Sequence, residues 1–528
     1  MSASPVMLRQ LRAGRYPLPV RRKATGWGIW RPSTCLKIHL ALVGACALLL
    51  YLVPAAMCLV LSGILIGIPL IVLGIVEARR GPLWLNPLSV FLLFLGIQMG
   101  PATIYVGVTL LTERSLDFPL LRIPAHDVAL GYFITLIGTF AMHLGLRTFR
   151  PSSQRRVPRP LNWKPHWILL LYAIGIAAIY SPSAFSFLGM FGGMLQWGCM
   201  AVLLAFAFSS ANSYHTLGMR LLFAAGIAVY ALAAFFGGSN SKSYTMLALL
   251  PAVVFLTCRR QYYKWIPAVI ILMLVLYLGI VAPAVNTSRN IQEGEYYDRV
   301  IVGLKSSSPF YTGEALTVSL ENQFEAMMAR LFEIPQVTGF MVGEVDRSGL
   351  QLGSSMKDLY YAFIPRIIWP EKPPVSRGAW FTTYLGMAKS EAEATTSTGM
   401  TTVGEWFWNF GVAGVVAGMF LTGVLLSGLW RLAGSYPIHH PANMVLYVAI
   451  IMNAMNLPDA TSPIVSAVAL YLFFGALAYL RTFGQKPVLP LGSATIRPVN
   501  QASSRFMTGA RLNERSSGTN LRWHRQNP

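Results

Sequence analysis

Charge is what this chain has little of. Of its 528 residues only 12% are Asp, Glu, Lys or Arg, about half the share of an ordinary soluble protein. A soluble chain of this length would form three or four domains, and so few charges could not cover that much apolar surface. That class is excluded, as are disordered, collagen-like and disulfide-rich secreted chains. Cysteine is scarce too. Cys35, Cys46, Cys58, Cys199 and Cys258 all lie in or at the edge of apolar segments, which excludes a disulfide framework and a cysteine metal cluster. Acids are scarcer than bases, 20 against 42, for a formal charge of +22. Such an excess also marks nucleic-acid binders, so its position along the chain decides its meaning.

What is abundant is apolar residue, 54% of the chain, with a mean hydropathy of +0.52. A bilayer core about 30 Å thick needs roughly 20 apolar residues per helix, and lipid leaves a spanning segment no other way to satisfy its backbone. Apolar runs fall at about 36–54, 56–76, 88–111, 128–146, 167–181, 190–209, 217–236, 244–257, 265–285, 403–430, 443–457 and 462–480. The fifth, eighth and eleventh are short. The sequence therefore predicts an all-α polytopic membrane protein of about twelve transmembrane helices. One large outward loop, 286–402, separates spans nine and ten.

The charges orient these spans. Lys and Arg favour cytoplasmic loops. The first 37 residues hold eight basic residues and no acid, and the last 48 hold eight and one acid, Glu514. Both ends are expected inside, which requires an even count. Arg79 and Arg80, the run from Arg147 to Lys164, and Arg259, Arg260 and Lys264 then also fall inside. The expected layout is a basic cytoplasmic tail over 1–35, nine spans over 36–285, the outward loop over 286–402, three spans over 403–480 and a basic cytoplasmic tail over 481–528. The first helix is no cleaved signal peptide, since its basic lead is long and another apolar run follows at once. The tails read as mostly disordered orientation signals near anionic lipid, not as a nucleic-acid footprint.

The loop holds 10 basic and 13 acidic residues and no histidine. Loops of such length generally serve a function. Leu316, Leu320, Phe324, Met327, Met328 and Leu331 recur at helical spacing, with Glu314, Glu321, Glu325 and Arg330 mostly on other faces. This predicts an amphipathic helix of about 20 residues, either roofing a cavity at the outer surface or packed on the rest of the loop. Next come Tyr360, Tyr361, Phe363, Pro365, Arg366, Trp369, Pro370, Lys372, Pro373, Pro374 and Arg377. The prolines stiffen the path. The aromatics suit an interface or a sugar-stacking surface. The cations on a rigid frame suit a diphosphate. An aromatic belt with snorkelling cations has the same composition.

The chain re-enters the membrane as Gly404-Glu405-Trp406-Phe407-Trp408-Asn409-Phe410-Gly411. Glu405 and Asn409 share a helical face at the outer end of the span. A carboxylate there is costly unless partnered or wet, although in a first turn it also favours the helix dipole. Gly414 and Gly418 form a GxxxG, expected to mark close helix packing. Two further outward segments carry cations, Gly237 to Lys242 and Asn286 to Asn290, the second containing Arg289.

The stretch Pro365–Pro373, followed by Gly404–Gly411 and a glycine-rich span, resembles Wzy-type O-antigen polymerases, the oligosaccharide repeat-unit polymerases. The segment 237–242 is similar to that family's Gly-Ser-Arg segment, with Lys242 in place of the arginine. The motifs cover about 60 residues, and the layout extends the resemblance from about 88 to 480. It implies a glycosyltransferase at the outer face of the cell inner membrane. Such an enzyme transfers a glycan from its undecaprenyl-diphosphate carrier onto a carrier-linked repeat unit, in O-antigen, capsule or exopolysaccharide synthesis. Partners implied are the lipid-linked oligosaccharide, the bilayer, a chain-length regulator and a flippase. Developing diphosphate charge should meet cations. The candidates are Arg289, Arg366, Lys372 and Arg377, with Arg330 and Lys242 behind them. Glu405 is the only acid of the matched motif and the candidate base. Tyr360, Tyr361, Trp369, Trp406 and Asn409 are candidate sugar or lipid contacts. No cofactor is expected, and no metal, since paired acidic ligands are not evident. An O-antigen ligase shares this layout, but its outward-loop histidine has no counterpart here. A twelve-span transporter or glycan flippase is the non-enzymatic alternative, although its long loop would be expected inside, after the sixth span.

Overall fold

The computed structural model describes residues 32–484 except 81–84, 113–122, 152–162, 182–193, 210–216, 238–244, 246, 259–261, 292–293, 308–315, 435–436, 456 and, within the loop, 363, 365–367, 370, 373–377, 387, 392–393 and 395–397. The chain divides into two units, Met1–Ala476 and Leu477–Pro528. Of the second, the helix to Gly484 is described. Every regular element among the described residues is helical.

Among the described residues, seven helices are long and apolar enough to cross a membrane. They are α1 (Pro32–Leu52), α2 (Ala55–Arg79), α3 (Pro87–Leu111), α4 (Ala125–Thr148), α7 (Leu217–Phe236), α9 (Ile266–Ser288, continuing to Asn290) and α13 (Thr402–Ala433). Five shorter apolar helices accompany them: α5 (Pro165–Tyr180), α6 (Trp197–Phe208), α8 (Leu249–Cys258), α14 (Pro441–Met455) and α15 (Thr461–Gly484, apolar to Leu477). Each apolar run thus contains a helix among the described residues. The remaining elements α10 (Tyr296–Ser307), α11 (Leu316–Ser348) and α12 (Gly378–Tyr384) belong to the long loop.

Local chemistry sets the boundaries. Asn86 caps α3 by accepting from the Ser89 amide at 3.0 Å, while the Asn86 amide donates to Ser89 Oγ. Pro87, at the first helical position, lacks only a donor that would have had no partner. Without a hydrophobic drive between helices in lipid, small residues let backbones approach. Gly67 on α2 crosses Gly100 on α3 so closely that a Cβ at Gly67 would stand 2.1 Å from the Gly100 Cα. Both helices bulge into π turns there, at Gly63–Gly67 and Gln98–Ala102. Side chains take carbonyls at the second bulge: Tyr132 Oη donates to Met99 O at 2.9 Å, and Thr103 Oγ1 to Gln98 O at 3.1 Å.

Buried polar pairs add ties between helices. His39 Nδ1 of α1 lies 3.0 Å from His143 Nδ1 of α4. Arg150 just after α4 pairs with buried Glu77 of α2 at 2.7 Å, and its guanidinium lies over the Trp430 ring of α13. The end of α4 is thereby joined to both α2 and α13.

Two expectations change here. The amphipathic helix is longer than about 20 residues: α11 runs 33 residues through Pro335. It also packs along α4. A Cβ at Gly131 would stand 2.3 Å from Gly339 N, and Thr135 Oγ1 lies 3.5 Å from Thr338 Oγ1. The Phe324 ring meets Tyr105 of α3 edge-on at 6.0 Å. Of its apolar stripe, Met328 is buried, while Phe324 is 41% exposed. The second change concerns the GxxxG pair. Gly414 and Gly418 make room for Phe410 and for the Trp406 indole of the same element. The close contact between α4 and α13 uses Gly145 and Gly423 instead. A Cβ at Gly145 would stand 2.3 Å from Phe420 O, and one at Gly423 2.5 Å from Met142 O.

Candidate functional site

α13 is two helices in one. At Gly411 the backbone takes φ 63° and ψ −156°, a conformation open to glycine and strained for other residues. The first piece, from Thr402, therefore turns back, so Trp406 lies on Gly418. A break of this kind strands carbonyls at the end of the first piece. The 351–353 segment takes them: the Gln351 amide donates to Trp408 O at 3.0 Å and the Leu352 amide to Asn409 O at 3.1 Å. The Gly353 amide adds a bond to Asn409 Oδ1 at 2.8 Å.

A buried polar network grows from that junction. Ser355 Oγ donates to Glu405 Oε1 at 2.7 Å, and Asn409 Nδ2 donates to Ser355 Oγ at 2.7 Å and to Glu405 O at 2.8 Å. Glu405 Oε2 accepts from the Ala460 amide at 2.8 Å, in the turn between α14 and α15. Thr401 and Thr402 bond the same turn, to Pro458 O and Leu457 O. Glu405 is 1% exposed. Its carboxylate thus joins three segments far apart in sequence, and a buried carboxylate is tolerable because each oxygen accepts a hydrogen bond. Two non-glycine residues, Leu352 (φ 50°) and Thr401 (φ 58°), have left-handed backbones beside this network. Such conformations persist where surrounding contacts over-determine them.

The proline- and cation-bearing stretch follows Ser355 along the chain. Lys372 is buried, and its ammonium donates to Ala362 O at 2.7 Å and Ile364 O at 2.9 Å. It closes the stretch into an arch. Tyr361 Oη donates to the buried Asp358 carboxylate, and its ring meets Trp369 edge-on at 6.0 Å. Tyr360, 89% exposed, projects from the arch, and Trp369 is also exposed. Arg366, Arg377 and Lys242 lie outside the described residues. Arg289 lies in the last turn of the helix Ala282–Asn290. Arg330 sits on α11, exposed, 3.7 Å from Glu333. The structure therefore brings Glu405 and Asn409 together, encloses Lys372 in its own loop and places Arg330 in a surface pair.

Beside the network, α11, α12 and α13 share an aromatic cluster. Trp380 and Tyr384 of α12 stack on one another with centroids 5.5 Å apart, and Trp380 stacks on Trp408 at 6.4 Å. Phe340, Phe381, Val337, Met341 and Met400 complete the cluster. Tyr384 Oη donates to Glu344 Oε2 at 2.7 Å, and Arg347 pairs with Glu344 at 2.7 Å. Burial and the Glu344 carboxylate together push the Tyr384 phenol up to about 12.

Sequence reasoning missed Ser355, Asp358 and this cluster. The Glu405–Asn409 spacing signals a shared face that needs a polar partner, but nothing in sequence spacing points to a serine 50 positions away.

A helical protein with membrane-length helices and a folded loop packed on them is the class defined by these features. Residues 162–437, slightly more than half of the chain, match the domain of unknown function DUF8712, and the chain belongs to that family. No curated protein and no solved structure matches it.

Proposed function

We propose that this protein is a polysaccharide polymerase of the inner membrane, with twelve spans, both termini inside and the 286–402 loop outside. The seven long and five short apolar helices fall on the twelve runs read from sequence, which supports that layout. In this reading the acceptor hydroxyl oxygen attacks the anomeric carbon of a carrier-linked glycan. The bond to the diphosphate breaks, undecaprenyl diphosphate departs with the electron pair, and the hydroxyl proton passes to the departing diphosphate or to water. Cations then serve the departing charge, and Arg366 and Arg289 are the residues assigned to it.

The observation that carries the reading is the buried network in which Glu405 and Asn409, of the second motif that resembles repeat-unit polymerases, hold Ser355, ten residues ahead of the first motif. It also revises two roles. Glu405 already holds Ser355 and Ala460 and is enclosed, so it positions the loop on the helices and is not the proton acceptor. Lys372 already holds the Ala362 and Ile364 carbonyls, so this reading gives it a shaping role in the loop and leaves the diphosphate to Arg366 and Arg289.

In a host strain lacking the gene, Arg366→Ala and Arg289→Ala should each abolish the ladder of polymer lengths on a gel while membrane levels of the protein stay normal. Normal ladders from both variants would overturn the site assignment. A deletion strain that still makes normal polymer would overturn the function.

A further inference from the structure

We propose that the stacked aromatic face of α12 and α13 is a second binding site, one for a pyranose ring of a glycan. The proposal rests on the polymerase reading for its biology but on separate residues for its chemistry. Three of the ring pairs are stacked, at 23° between Trp380 and Tyr384, 28° between Trp380 and Trp408 and 13° between Phe381 and Tyr384, while Tyr384 and Trp408 are tilted by 50° and Phe340 meets Phe381 and Tyr384 edge-on from behind. Parallel rings make a platform. A box of rings set edge to face would instead suit a quaternary ammonium.

The platform is not simply interior packing. Tyr384 is 42% exposed and Trp380 is only half-buried, whereas Phe381 and Trp408, which they stack on, are buried. Its edge is polar. Tyr384 Oη and Arg347 both bond Glu344, which fixes the phenol and sets a guanidinium, 70% exposed, along the rim. Trp408 Nε1 is buried with no hydrogen-bond partner among the described residues. Acyl chains have no use for a carboxylate and guanidinium at the rim. A sugar ring uses both parts: its apolar C–H face lies on the aromatic plane, and its hydroxyls reach the Glu344 and Arg347 edge. Apolar walls with a few placed polar groups are the general make-up of small-ligand sites. The rings are also rigid, because Phe340, Val337 and Met341 of α11 back them, so little ordering is needed on binding.

Trp408 is next to Asn409, and Asn409 bonds Ser355 and the Glu405 carbonyl. The platform is therefore built onto the same short helix as the buried network. A glycan lying on it would be held beside the network that fastens the loop to α13, as a chain-holding subsite beyond the reacting sugar.

The test uses full-length protein in phosphatidylcholine nanodiscs. The probe is oligosaccharide released by mild acid from the host's own surface polysaccharide and labelled at its reducing end. Anisotropy should report saturable binding to the wild type. Trp380→Ala and Arg347→Ala should weaken it at least tenfold, while Trp380→Phe, which keeps a ring, should lose less than Trp380→Ala. Arg347→Ala removes an exposed side chain and so guards against misfolding as the cause. Absence of wild-type binding, or equal binding by wild type and both alanine variants, would overturn the platform. In cells, Trp380→Ala should shorten the polymer without abolishing it. A normal ladder from Trp380→Ala alongside a lost ladder from Arg366→Ala would remove the platform and leave the polymerase. Variant-sensitive binding in a protein whose deletion spares the polymer would do the reverse.

Discussion

Glu405 makes its two carboxylate bonds to different donors, a hydroxyl and a backbone amide. Glutamine is nearly the same shape but can accept through one oxygen only, so it must present an NH₂ to either Ser355 or the Ala460 amide. An unsatisfied buried donor costs about 1–3 kcal/mol. Glu405→Gln is therefore expected to lower the melting temperature in detergent nearly as much as Glu405→Ala. A glutamine variant as stable as the wild type would show that the second bond is dispensable. Tyr384 offers a pH test at the same scale. Its phenol is raised from near 10 to about 12 because burial and Glu344 disfavour the phenolate. The contact is then fully present below pH 10 and is lost as pH rises through about 12. In an absorbance titration of tyrosinate, Tyr384→Phe should remove a component from the high end of the curve and leave the main transition near 10 in place. Loss of amplitude near 10 would contradict the contact. How much of the site is legible in the sequence differs by residue. Glu405 and Asn409 are legible as a pair, because a four-residue spacing on a helix fixes their shared face. The enclosure of Lys372 is not, because a lysine that meets a diphosphate and one that meets two carbonyls have the same neighbours in sequence. Ser355 and Glu344 depend on contacts 40 to 50 positions away, which no local pattern encodes.

Among elements, the apolar runs are legible because membrane-length helices announce themselves by length and composition alone. Their details are not. α13, for one, carries a break at Gly411 that hydropathy cannot register, since Trp, Phe and Gly continue the apolar run through it. The GxxxG at 414 and 418 has the spacing of a helix-packing motif but a partner within its own element. After the Gly411 break, the chain's own Trp406 is the nearest apolar surface. The pairing of α2 with α3 rests on Gly63, Gly67 and Gly74, which meet Ile104, Gly100 and Leu93 of α3. That register depends on the two bulges, and no local pattern marks them. Gly67→Leu should be the test, since its Cβ would already overlap the Gly100 backbone. The variant should fail to accumulate in membranes, while the same change at Gly44, where nothing lies within 4 Å, should be tolerated. Equal accumulation of both would remove the crossing from the fold.

For the whole molecule, the formal charge of +22 divides unevenly. The long loop carries 10 basic and 13 acidic residues, so the excess lies elsewhere in the chain. If that excess orients the helices, a topology reporter fused after Lys357 should read as external, and one fused after Arg481 as cytoplasmic. A cytoplasmic signal after Lys357 would overturn both the layout and the reaction assigned to the loop. The fold adds a constraint that the charges alone do not. α11 packs along α4 through Gly131 and Gly339, so this part of the loop is fastened to a membrane-length helix.

The paired π turns also bear on how this chain can change over generations. A π turn holds one residue more than the α-helical turn it replaces, and each residue rotates a helix face by about 100°. Dropping a single residue from 63–67 would swing the rest of α2 off Gly100, and dropping one from 98–102 would swing α3 off Gly67. The two bulges therefore constrain each other as insertions. A lineage keeps the crossing only while it keeps both bulges at these positions.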